Sequence, residues 1–119
     1  MTKPGTRVGA VLSASKDEVK ILGFGVYVGD ERPPGDIVFF GGLLSEIYER
    51  QPEFSRDYTN PKIQLDNGDV VWGCECWWGP EEEVKKRWLS DGRRVVEVRM
   101  EPIREEARVG LRKEKEKKG

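Results

Sequence analysis

Two consecutive prolines constrain this chain more than any other feature. Pro33 and Pro34 remove two backbone donors in a row and, with Gly35 behind them, cannot lie inside a sheet. Whatever precedes Arg32 must end there, and its pattern is β. Val8, Ala10 and Leu12 alternate within Thr6 to Ala14, Ser15-Lys16-Asp17 suits a polar turn, and Glu18 to Gly29 reads as a second, longer strand. Val19 and Ile21 share one parity there, while Phe24, Val26 and Val28 share the other. The change predicts a bulge or bend at Gly23, within a first hairpin.

Beyond the prolines, Asp36 to Phe40 is a short strand-like apolar run. Leu43, Leu44, Ile47 and Tyr48 then fall at helical spacing, and that helix should stop before Pro52. Glu53 to Asn60 has no period and reads as a surface loop. Pro61 to Cys76 predicts a second hairpin, with Ile63 and Leu65 alternating before the turn Asp66-Asn67-Gly68-Asp69 and Val70-Val71-Trp72 after it. Gly79-Pro80 opens a helix: proline suits its first position, Glu81-Glu82-Glu83 faces the positive dipole end and Lys85-Lys86-Arg87 the negative end. Val84 and Trp88 share one face, and Asp91-Gly92 is a stop. Arg94 to Met100 reads as a closing strand. From Pro102 the pattern is helical, with a stripe of Ile103, Ala107 and Leu111 that needs cover from the sheet or from another subunit. The expected architecture is α+β: a small antiparallel sheet or partly open barrel of about five strands with two or three helices, the last one C-terminal and amphipathic. Residues 1–112 form a single domain and 113–119 a charged, fraying tail.

Composition narrows function. Charged residues reach 36%, yet 21 basic against 22 acidic side chains leave a net of −1, which argues against a binder of long nucleic acids. No apolar run is long enough to cross a bilayer and the polar start lacks a signal-peptide core, so a cytoplasmic protein is expected, with no membrane partner. The 119 residues contain no histidine, which removes the commonest general base, the commonest metal ligand and every Ser-His or Cys-His pair. Neither catalysis, a cofactor nor a metal is expected. Cys74 and Cys76 read as core, since a metal would need four Cys/His ligands and only an oligomer pooling Cys-x-Cys pairs offers them.

The richest segment is Trp72-Gly73-Cys74-Glu75-Cys76-Trp77-Trp78. As a continuous strand it would place Trp72, Cys74, Cys76 and Trp78 on one face, with Glu75 and Trp77 on the other. Both faces cannot hide Trp77 and Trp78 in so small a domain, so at least one should line an interface or pocket. Phe24 and Tyr27, in the glycine-punctuated Gly23 to Gly29, are further stacking candidates. Asp66, Asp69 and Glu75 are acidic but read as turn or solvated groups. Arg104, Arg108 and Arg112 recur every four residues on the last helix, either as a salt-bridged face or as a ridge for phosphate oxygens.

Gly23-Phe24-Gly25-Val26-Tyr27-Val28-Gly29-Asp30, Asn60 to Gly68 and Val71 to Gly79 together resemble the phage anti-Thoeris sponge family over residues 23–79. The resemblance implies a non-catalytic homo-oligomer that sequesters a cyclic ADP-ribose-type or cyclic-nucleotide signal in pockets between subunits. The expected ligand-binding residues, read from this sequence itself, are Trp77, Trp78, Phe24, Tyr27, Arg104 and Arg108: the aromatics stack on a base and the arginines meet phosphate. The alternative is a small β-rich protein-interaction module that uses exposed tryptophans. An enzyme working with carboxylates or a thiolate ranks third.

Overall fold

In the computed structural model, residues 2–39 and 41–118 are described, without the side chains of Phe54, Ser55 and Lys118. In chain order the elements are β1 (Arg7–Ala14), β2 (Glu18–Glu31), β3 (Val38–Phe39), β4 (Gly42–Leu43), α1 (Leu44–Arg50), α2 (Pro52–Asp57), β5 (Asn60–Leu65), β6 (Val70–Trp72), a 3-10 turn (Gly73–Glu75), β7 (Trp77–Pro80), α3 (Glu81–Trp88), β8 (Arg94–Glu97) and α4 (Met100–Lys118). They group into two units, Met1–Glu31 with Asn60–Arg99, and Arg32–Thr59 with Met100–Gly119.

The first unit is built around the 14-residue β2. One edge of β2 pairs antiparallel with β1. The other pairs antiparallel with β5 over Gly25 to Glu31 and parallel with β8 over Glu18 to Ile21. The main path across the sheet is β6-β5-β2-β1-β7. Between β1 and β2 the register passes from Ala10↔Gly23 to Val11↔Ile21, so Leu22 is the extra residue of a bulge beside the parity change. Gly23 has φ +135°, a backbone that a side chain rarely adopts. At Gly25 a Cβ would collide with the carbonyl oxygen of Gln64, so the close approach of β2 and β5 depends on glycine there.

Val8, Val11, Val19, Leu22, Ile63 and Val71 are fully buried in this unit. Helix α3 adds Val84 to a cluster with Val11, Val19 and Ile21, and Phe24, Trp88 and Leu89 close its margin. Three details of the sequence reading are corrected. Pro80 immediately precedes α3 and is not its first residue. The 3-10 turn breaks the strand expected through Trp78 into β6 and β7. Arg94 to Glu97 is a strand as expected, but it runs parallel to β2, tied by Arg94 N–H to Asp17 O (3.0 Å) and Val98 N–H to Ile21 O (2.9 Å).

In the second unit the short β3–β4 ribbon leads into α1, whose first residue, Leu44, is fully buried along with Pro33. Leu44 N–H donates to Ile37 O and Ser45 N–H to Gly35 O, both at 2.9 Å, so the proline segment lies against the start of α1. Phe40, part of the expected strand, lies outside the described residues. Pro52 does end α1, but it also starts α2, where a loop was expected; proline's missing N–H costs nothing at a first helical turn. Ile103, Ala107 and Leu111 are half-buried on α4, which packs beside β3. The helix continues through 113–118, residues that the sequence assigns to a fraying tail; Lys115 within it pairs with Glu46 of α1.

The chain is thus α+β, with a mostly antiparallel sheet and a C-terminal helix. Among the described residues no helix is long and apolar enough to cross a membrane.

Candidate functional site

The site begins at the 3-10 turn. Trp72 N–H donates to Glu75 Oε1 (3.1 Å) and Cys74 N–H to Asn60 Oδ1 (2.7 Å), so local and long-range acceptors hold Gly73–Glu75 out of the strand. The alternation expected from Trp72 to Trp78 is lost as a result. Trp72 is buried in the core, Trp78 is half-buried, and Trp77 leaves 68% of its surface in water. The cysteines, expected in the core, are reduced and half-buried. They line a cavity of about 400 Å3 with Leu12, Gly73, Glu75 and Trp77.

Trp77 and Trp78 also line a cleft of about 100 Å3 against α3, with Gly79, Glu83, Val84, Arg87 and Trp88. Tyr27 stands behind this cleft. Its ring stacks on Trp78 (5.3 Å between centroids, 15° between planes) and its hydroxyl donates to Asp30 Oδ1 at 2.5 Å. That hydrogen bond, helped by burial, raises the Tyr27 pKa above the ordinary phenol value. Tyr27 therefore braces Trp78 and is itself covered. Phe24 belongs to a different cavity, of about 230 Å3, with Ile21, Gly23, Leu65, Asp66, Asn67 and Glu97; Lys85 Nζ sits 5.5 Å from its ring.

Sequence reading missed two residues of the aromatic cleft. The sequence reading places Trp88 on one helix face with Val84, and Arg87 at the negative dipole end of α3. The exposed Arg87 guanidinium lies 5.1 Å from the Trp88 ring, and among the described residues it pairs with no carboxylate. Arg93 approaches the same ring at 5.9 Å but is anchored by Asp91 (2.8 Å) and by the carbonyl of Ser15 (3.2 Å). For Trp88 the available signal was its i, i+4 relation to Val84 on a helix that follows an aromatic strand end.

Arg104 and Arg108 lie in the second unit, inside a carboxylate network. Arg108 donates to Glu101 Oε1 (3.1 Å), Glu105 Oε2 (3.0 Å) and Asp36 O (3.1 Å), and Arg104 lies 3.4 Å from Glu101. Arg112 pairs with Glu105 at 3.2 Å. The Arg108 hydrogen bond holds the Glu101 carboxyl below the usual carboxylate range. Arg7 does the same to Asp66 through two 2.7 Å bonds, and Arg99 grips Asp69. Glu18, Glu46, Asp66, Asp91 and Glu101 are all lowered, the opposite of what a general acid requires. Among the described residues no group of three or more Cys, Asp or Glu is placed to hold a metal.

No protein-family profile matches the chain, and no solved structure matches it. A partial similarity exists to the 3-(3-hydroxy-phenyl)propionate/3-hydroxycinnamic acid hydroxylases of Escherichia coli (strain K12) and Escherichia coli O139:H28 (strain E24377A / ETEC), each 28% identical over 75 residues and covering 50% of this chain. The match spans only 14% of the length of these curated relatives. So short a segment does not bring the activity of the whole hydroxylase to this protein.

Proposed function

We propose that this chain is a non-catalytic binding protein for a flat, anionic small molecule, held at the cleft of Trp77, Trp78 and Trp88 with Arg87 as the anion contact. The observation that carries the reading is the exposure of Trp77, 68% in water, in a cleft it shares with an arginine that no carboxylate engages among the described residues. Stacking of one base on such a ring contributes about 1–3 kcal/mol, and a guanidinium matches phosphate or carboxylate oxygens. A small phosphorylated nucleotide, cyclic or ADP-ribose-like, carries both features. The resemblance to the sponge family favours that class, and such a protein would act in the cytoplasm of an infected cell. The hydroxylases of the partial match are named for aromatic carboxylic acids, which are also flat and anionic, so such acids belong in the ligand panel.

The cleft of about 100 Å3 takes a ring face and little else, whereas whole-ligand pockets run to roughly 300–1,000 Å3. In this reading a second copy of the chain covers the remainder, which makes the working form a homo-oligomer. In this reading the ligand leaves with its covalent bonds intact, which a chain without histidine favours. Mass spectrometry of small molecules released by denaturing freshly purified protein is the test. A nucleotide or aromatic acid should appear from the wild type and be depleted in Trp77→Ala. An empty wild type that also takes up none of the panel refutes the reading.

The second reading, a protein-interaction module, is favoured by the place of Trp77 on β7, which pairs with β1 at the end of the sheet path. A partner captured by the wild type, lost in Trp77→Ala and indifferent to every nucleotide would select it.

A further inference from the structure

Strand β8 has one neighbour. It pairs with β2, and among the described residues its other edge pairs with no strand. The Arg94 and Val98 N–H groups donate to Asp17 O and Ile21 O, which turns the even-numbered backbone groups toward β2 and those of Val95 and Glu97 outward. An outward row of this kind is a template for a further strand. Two side chains mark the same edge. Val95 stands beside Val19 in the register, yet Val19 is fully buried and Val95 is 44% exposed. The apolar face that Val19 shares with Val11, Ile21 and Val84 therefore continues to the rim of the sheet. Glu97, two residues on and on the same face, is exposed, and its carboxylate makes no hydrogen bond or salt bridge among the described residues.

We propose that the outer edge of β8 is a self-association surface, on which a second copy of the chain lays its own β8 antiparallel about a two-fold axis between the two Val95 residues. Directly opposed residues in such a ladder share backbone orientation, so the outward Val95 groups bond each other. The charge order selects this register. Centred on Val95, it sets Arg93 opposite Glu97 at both ends. Centred on Arg93, Arg94 or Glu97 it would oppose like charges directly, and centred on Val96 it would set Arg93 opposite Arg99. Arg93 keeps its anchors: Nε donates to Asp91, and one N–H of each terminal nitrogen to Ser15 O and Trp88 O, which leaves two donors for the incoming carboxylate. The opposed valines close the exposed margin of the apolar face. On the sheet path β2 and β1 separate this edge from β7, and the contact rests on nothing in the ligand reading.

The experiment is sedimentation equilibrium of the ligand-free whole chain, joined to amide hydrogen exchange at rising protein concentration. A reversible monomer–dimer equilibrium is expected, weakened by salt. Exchange at the Val95 and Glu97 amides should slow as the dimer forms, whereas the Arg94 and Val98 amides, already bonded to β2, should not change with concentration. Val95→Pro removes an outward donor from each copy and leaves the β2 ladder intact, so dimerisation should weaken at least about tenfold while circular dichroism shows a folded monomer. Glu97→Arg sets arginine opposite arginine and should weaken the dimer to a similar degree. The proposal is overturned if the wild type stays monomeric at millimolar concentration, if a dimer forms without slower exchange at Val95 and Glu97, or if folded Val95→Pro and Glu97→Arg dimerise as tightly as the wild type. The exchange readout needs no variant. A failed dimer leaves the mass-spectrometric test of the ligand untouched, and an empty ligand panel leaves the dimer test untouched.

Discussion

The end of α3 presents one arginine and the face of α4 three at four-residue spacing, and the structure treats them in opposite ways. On α4, Arg108 is shared among Glu101, Glu105 and Asp36, and Arg112 pairs with Glu105. On α3, Arg87 lies beside the Trp88 ring and pairs with no carboxylate among the described residues. Arginine spacing therefore does not identify an anion site; the carboxylates within reach decide it. A guanidinium already held by three acceptors must give them up before it meets phosphate, whereas Arg87 has, among the described residues, an aromatic contact and no carboxylate to give up. The two units also differ in what holds them. The first rests on a buried apolar sheet face, while the α4 face of the second is joined largely by exposed ion pairs, which contribute little individually.

This contrast can be broken in several places. The largest effect is expected in the core of the first unit, where Ile63→Ala should cost about 2–5 kcal/mol of stability, read by denaturant unfolding. A loss well below 1 kcal/mol would mean that the β5 face is not packed as described. Next comes Trp77→Ala, which should weaken ligand binding by about 1–3 kcal/mol, roughly 5- to 150-fold, and leave the melting temperature nearly unchanged because the indole is exposed. Arg87→Ala should weaken an anionic ligand by about tenfold and a neutral analogue not at all, while Arg108→Ala should leave binding as it was. A binding loss in Arg108→Ala and none in Arg87→Ala would return the anion site to the α4 ridge.

The smallest effect is pH-dependent. Glu101 beside Arg108 and Glu46 beside Lys115 have folded pKa values below the ordinary carboxylate value of 4.5. Their stabilisation is therefore complete above the unfolded pKa and is lost as pH falls through the folded values. Thermal melts at descending pH below about 5 should show a decline that is shallower in Arg108→Ala than in the wild type. Equal slopes would mean that these pairs contribute nothing measurable to folding.

What could be read from the sequence was local. The bulge beside Gly23 showed because an extra residue changes side-chain parity, and α3 showed because proline, acidic and basic signals agreed in order along the chain. Pairing partners did not show. Arg94 to Glu97 has the same alternation whether it lies parallel or antiparallel, and its direction depends on its contact with β2, more than seventy residues earlier. The turn at Gly73–Glu75 was hidden for a similar reason, since the acceptor for Cys74 N–H is Asn60, 14 residues away. In the candidate site, Trp77 and Trp78 stood out by type and position. Arg87 did not, because its lack of a carboxylate partner among the described residues is a property of the folded surface, and its place at the end of α3 reads as that of a cation facing the negative dipole end.

Titration calorimetry of the folded chain against cyclic nucleotides, ADP-ribose-like nucleotides and aromatic acids, with the ligand recovered afterwards for mass spectrometry, tests the central claim most directly. A saturable heat in the wild type, strongly reduced in Trp77→Ala, with the ligand recovered chemically unchanged, is the predicted result. No heat from any member of the panel, equal heat in the variant, or a ligand recovered as a reaction product would contradict it.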